Sequence, residues 1–185
     1  MAELGAYHPE GDAAQLMGEL PGARFTPGVT FAVEAPAALG PEAAQAVLVL
    51  QGTLASPDDA QTFWGRAAVT LREAIASPGF IRFIGFGDGL SNYALGFWRT
   101  VEDAQAFARG SAHRDAEREL RETGNQYSHF AGLFQLTSGS GRHFYCEQCR
   151  HVTAAPATEC SNCGNPLTDV FGQQVTAAEG AGAGR

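Results

Sequence analysis

The sequence predicts an α+β fold in the order βαββαβ, one antiparallel sheet carrying both helices on a single face, followed by a small metal-held ribbon. Three observations predict it. Four apolar runs of strand length are spaced through residues 46–137. Two segments between them open with helix-capping chemistry and repeat apolar residues at helical spacing. Four cysteines fall in two Cys-x-x-Cys pairs near the C-terminus.

Residues 1–45 are rich in Ala, Gly and Pro, with Pro21-Gly22, Pro27-Gly28, Pro36 and Gly40-Pro41 as punctuation. The alternating piece Val29–Val33 suits an edge strand. The rest of this stretch is an arm or linker that packs elsewhere, for instance on a second subunit. The Val/Leu-rich run Ala46–Leu54 is the first strand of the main domain. Ser56-Pro57-Asp58-Asp59 opens a helix, with Ser56 as N-cap, Pro57 in the first turn and acids at the positive end of the dipole. Phe63, Ala67, Leu71 and Ile75 give it one apolar face, beside Trp64 and Ala68, and Ser77-Pro78-Gly79 stops it.

Phe80–Phe86 and Asn92–Trp98 are two strands joined across Gly87-Asp88-Gly89, a hairpin signal. Thr100–Asp103 opens a second helix with the same chemistry. Ala104, Phe107 and Ala108 begin its stripe, Gly110-Ser111 interrupts it, and it resumes through Ala116 and Leu120 to Gly124-Asn125. Tyr127–Leu136 is the fourth strand. This order is the ferredoxin-like split βαβ arrangement. Helices cover only one face of such a sheet, so the other, carrying Phe and Leu, needs a cover, and a second copy of the sheet supplies one.

Composition narrows the function. Apolar residues make up 44 % of the 185 and charged ones 17 %, enough for a core and too apolar for a disordered chain. The 12 cations, all Arg, face 20 acids for a net charge of −8, which excludes a nucleic-acid backbone or an anionic membrane as main partner. No run is long enough to span a bilayer. Met1–Gly5 lacks the basic head and apolar block of a signal peptide, so a cytoplasmic protein is expected.

Cys146-Glu147-Gln148-Cys149 and Cys160-Ser161-Asn162-Cys163 present four thiolates that can close a tetrahedron around one ion. Gly164 permits the turn after the second pair. Phe144, Tyr145, Leu167 and Phe171 are expected to cover residues 143–171, which resemble a zinc ribbon and the rubredoxin-like domains of some oxidases. Zinc, as a structural ion, is preferred over iron, because Arg150 and not Gly follows the first pair. His143 and His151 are not needed as ligands. Residues 172–185, ending in small residues, are expected to be a flexible tail.

Gly85-Phe86-Gly87-Asp88, Phe97-Trp98-Arg99-Thr100, Ala106-Phe107-Ala108-Arg109 and Ala112-His113 resemble the dimeric α+β-barrel superfamily. Within it, the likeness is to the antibiotic-biosynthesis-monooxygenase group and the spheroidene-monooxygenase-like haem proteins, over residues 46–137. The resemblance implies a homodimer meeting through its sheets, with a pocket between each sheet and its own helices. It also implies a haem-binding, monooxygenase-type oxidoreductase acting on a small organic substrate in secondary metabolism, with a possible redox partner. His113 falls at the His of the spheroidene-monooxygenase-like proteins and would be the axial ligand. Phe83, Phe97 and Phe107 would wall the haem slot and His129 would be a distal acid–base group. Arg82 and Arg99 are candidate partners for propionates, though a solvated Arg is the plainer reading of each. Haem-degrading members place a Trp where this chain has Phe107 and a His where it has Glu117, so that activity is disfavoured. Two rivals stand beside haem chemistry: a cofactor-independent oxygenase of the same fold, and a non-catalytic binding or docking module using the ribbon. No paired carboxylates, phosphate loop or nucleophile elbow appears.

Overall fold

Ala46–Leu54 (β3) is an inner strand of the sheet: its nine residues are rich in Val and Leu, and both neighbours pair with it over nearly its whole length. In the computed structural model, which describes residues 15, 18–20, 23–26, 29–35, 43–88, 90–139, 141–155, 157–168 and 174–175, the other strands are Arg24–Thr26 (β1), Val29–Glu34 (β2), Phe80–Asp88 (β4), Ser91–Trp98 (β5) and Gln126–Gln135 (β6). The order β1-β2-β4-β5-β3-β6 is antiparallel throughout, and its last four strands are the expected βαββαβ core. The helices are Asp59–Ala76 (α1), Val101–Ala108 (α2) and Ser111–Thr123 (α3).

The sheet begins before Ala46: Arg24–Thr26 and Val29–Glu34, within the stretch read as an arm or linker, are its first two strands, and residues 1–14 lie outside the described ones. β2 pairs Val33 with Phe83 and Ala32 with Ile84, and β1 folds back on β2. Val29–Val33 is therefore a strand, but it satisfies its backbone within the same chain. Leu20 also sits in the main core, 2 % exposed. No helix is long and apolar enough to cross a membrane among the described residues.

Sequence chemistry explains the helix ends. The Thr100 hydroxyl accepts the Asp103 amide at 3.0 Å and caps α2. Ser56 accepts the Asp59 amide more weakly, at 3.4 Å, so Pro57 and Asp58 form a turn and α1 starts two residues later than expected. The interruption at Gly110 is complete: α2 and α3 are separate helices. α3 has no side-chain cap of its own; the Glu73 carboxylate of α1 accepts the Ala112 amide at 2.7 Å.

The core fills the space between the helices and one sheet face. Trp64, Leu71 and Ala68 meet Leu48, Phe83 and Trp98 there. The buried stripe of α1 is thus turned toward Trp64 and Ala68, with Phe63 and Ala67 at its edge. Trp98 is wholly buried, stacks on Phe107 with centroids 5.1 Å apart, and donates its indole N–H to the Ser77 hydroxyl.

A second, separate core belongs to His143–Tyr145 (β7) and Val152–Ala154 (β8), an antiparallel hairpin, and the turns around it. Phe144 and Leu167 are buried as expected, whereas Tyr145 points outward at 70 % exposed because strand alternation places it opposite Phe144. Phe171 lies outside the described residues. Val175 is buried in this core and donates its amide to Leu167, so the ribbon reaches into the segment expected to be tail; residues 176–185 lie outside the described part.

Candidate functional site

A cavity of about 150 Å³ opens where the helices stand off β3 and β5. Its floor is Leu50 and Ala94, its apolar wall Phe63, Trp64, Leu71, Phe83 and Phe107, and its roof the His113, Ala116 and Leu120 side of α3. The Arg66 guanidinium of α1 donates to the Glu119 carboxylate of α3 at 2.7 Å and fastens that roof.

The polar end lies around Gly52. In the sheet register Gly52 is flanked by Asn92 on β5 and His129 on β6. A side chain at Gly52 would sit 2.5 Å from Gln126 Oε1 and 3.2 Å from Asn92 Oδ1, so glycine is required for the two amides to close over the strand. Among the described residues, Asn92 Nδ2, Asn125 Oδ1, Gln126 Oε1 and His113 Nδ1 are buried without a hydrogen-bond partner, and all four residues line this one cavity. Buried polar atoms are normally paired, so their convergence marks a place built to receive something polar.

His113 packs edge-on against Phe107, ring centroids 5.3 Å apart, and its Nδ1 lies 3.9 Å from Glu117 Oε1. Desolvation by burial holds His129 below the usual 6.5; the Glu117 carboxylate opposes that and a neighbouring His113 charge adds to it. The two histidines expected to carry chemistry, with Phe83 and Phe107, are thus gathered at one cavity. Phe97 is not: it pairs with Val47 on the sheet face away from the helices, which corrects its placement as a wall residue. Asn92, Asn125 and Gln126 were not singled out from sequence. Gly52 inside a Val/Leu-rich strand was the signal for the close approach.

The residues do not fit a haem. A cavity of this volume takes a ligand of about one benzene ring, and a tetrapyrrole with its propionates is several times larger. The His113 nitrogen is turned toward a carboxylate, and Arg82, proposed for a propionate, is buried.

The four cysteines form a centre of their own. Their sulfurs all lie within 4.8 Å of one another, with Cys146–Cys163 and Cys149–Cys160 each at 3.5 Å. Tetrahedral thiolates about 2.3 Å from an ion stand about 3.8 Å apart, whereas a disulfide needs about 2.05 Å. The spacing therefore fits four ligands around one metal. The knuckles are built alike: the Arg150 amide donates to the Cys146 carbonyl and the Gly164 amide to that of Cys160, at 2.8 and 2.9 Å. Burial works to raise the Cys160 thiol, but the Asn162 and Cys163 amides outweigh it and bring it down to about 6. Cys149 is also lowered, first by the His151 amide. Thiolates this close repel one another, and a cation is what lets all four ionise.

No protein-family model matches the chain, and no curated protein does. Solved structures do. A candidate antibiotic biosynthesis monooxygenase from Nitrosomonas europaea matches 53 % of this chain and 96 % of its own at 14 % identity, TM-score 0.45. SnoaB, a cofactor-independent oxygenase from Streptomyces nogalater, matches 54 % of this chain and 99 % of its own at 16 %, TM-score 0.43. An anthrone oxidase-like protein matches 72 % and 57 % at 11 %, TM-score 0.46. At these identities and TM-scores the likeness is one of chain course alone and carries no residue roles.

Proposed function

We propose that the protein is an oxygenase that works without haem on a small, electron-rich organic molecule held between α1, α3 and the sheet. The observation that carries this reading is a small, largely apolar cavity where two histidines and three unpaired amide atoms converge. His129, an exposed residue of β6 whose pKa partial desolvation lowers, is the group placed to accept a proton from a ring held there, and His113 beside Glu117 lines the same cavity. The electron-rich anion so formed reduces O₂, which supplies one oxygen atom to the substrate while the other leaves as water: RH₂ + O₂ gives RO and H₂O. No redox cofactor is consumed in that balance.

The test is oxygen uptake with isotope-labelled O₂ and electron-rich phenols. Label in the product, with kcat falling about a hundredfold in His129→Ala and KM little changed, supports the reading. Binding without uptake would replace it by a ligand-binding module.

The ribbon, in this proposal, holds structural zinc, because thiolate donors closed into a tetrahedron leave no open position for chemistry. The bare sheet face is covered by a second copy. Phe130 and Phe134 stand 47 % and 51 % exposed there beside Phe97 and Leu95, an apolar surface that suits self-association. Phe134→Glu should yield a monomer by light scattering, and a wild-type monomer at micromolar concentration would defeat the pairing.

A further inference from the structure

The polar end of the cavity specifies its ligand more closely than the proposed oxygenase reading, on which this inference rests. Gln126 Oε1 and Asn125 Oδ1 each need a proton donated to them, and Asn92 Nδ2 needs an acceptor. Two amide oxygens need two donors, so a single hydroxyl is insufficient. A carbonyl or carboxylate brings acceptors only and leaves both oxygens unpaired. A hydroxyl donates and accepts, so it pairs with a terminal amide whichever way that amide is turned.

Charge and size complete the description. Glu117 and Glu119 line the cavity, and Arg66, the one arginine among the described lining residues, is held by Glu119. With Arg66 and Glu119 paired, an anion enters against the remaining Glu117 carboxylate. The volume of about 150 Å³, walled by Phe63, Phe83 and Phe107, admits one ring.

We infer that the ligand is an uncharged single aromatic ring carrying two hydroxyl groups. The hydroxyls meet Asn92, Asn125 and Gln126 beside Gly52, and the ring lies against the phenylalanines.

Calorimetric or NMR titration of the full metal-loaded chain under argon tests this without turnover. The probes are catechol, resorcinol, hydroquinone, phenol, benzene and benzoate. At least one diphenol should bind about tenfold tighter than phenol, with benzene weaker still and benzoate weakest, since each unmet buried amide costs about that factor. Gln126→Leu should erase the preference for the diphenol over phenol while leaving phenol binding within about twofold. The wild-type series is decisive even if the variant folds poorly. Benzene binding as tightly as any diphenol, benzoate binding best, or no ring binding at all would overturn the inference, the last because water then meets the amides. Diphenol binding without oxygen uptake would remove the oxygenase and keep this assignment. Oxygen uptake confined to rings without hydroxyls would do the reverse.

Discussion

Arg150 and Gly164 occupy equivalent positions, each one residue past a knuckle's second cysteine, and both turn left-handed, with φ of 59° and 71°. Only glycine does so without a Cβ penalty, which is about 1 kcal/mol for other residues. Arg150→Gly should therefore stabilise the ribbon by up to about 1 kcal/mol, and Gly164→Ala should weaken it by a similar amount. Metal-loaded thermal melts of the two variants check both signs. The same comparison shows that Arg150 was a poor argument against a particular metal: the turn forms with either residue. At the cavity, His129 makes a pH prediction. Its folded value lies below 6.5, so the unfolded chain takes up a proton that the folded one refuses. Stability from the neutral ring is complete above pH 6.5 and falls as pH drops from there toward the folded value. His129→Gln should flatten that part of the denaturation profile, and Glu117→Gln should depress the His129 NMR titration midpoint further, because the carboxylate now raises it.

Among the elements, α3 depends most on its neighbours. It buries no side chain fully and is held to α1 by Arg66–Glu119 and by the Glu73 cap. Gly110 makes that cap possible, for a Cβ there would press on the Glu73 carboxylate and lie 2.9 Å from the Phe107 carbonyl. Glu73→Ala should cost about 1 kcal/mol, and Gly110→Ala at least as much. Hydrogen exchange should show the loss concentrated in the first turn of α3. The βαββαβ core was legible because its elements are long, and β3 has the very limits of its Val/Leu-rich run. β1 was not, since three residues ending at Pro27-Gly28 carry no period to read. The misplacement of Phe97 had a different cause. Strand alternation already sets it opposite Trp98, and grouping phenylalanines by abundance overlooked that parity. The amides at Gly52 come from two distant segments, Asn92 on β5 and the adjacent pair Asn125 and Gln126 at the start of β6, and only the register of β3 with its two partners brings them together.

At the scale of the molecule, the described residues form two cores that share no buried residue, one between sheet and helices, the other around Cys146, Cys160, Phe144, Leu167 and Val175. Cys160→Ser should release the metal and unfold the ribbon while the sheet keeps its far-ultraviolet signature and melting temperature within a few degrees. Elemental analysis should count about one zinc per wild-type chain and well under that in the variant. Loss of both signals together would show that the cores are coupled. The carboxylate that starts α3 lies 39 residues before the amide it receives. A polar helix whose first turn is completed from another helix has little reason to form early. The chain should thus close the sheet and α1 first and add α3 last, which puts the roof of the cavity among the final events of folding and the first of local opening. The same late-forming roof is then the natural door through which a small ring enters and leaves, without the sheet beneath it having to move.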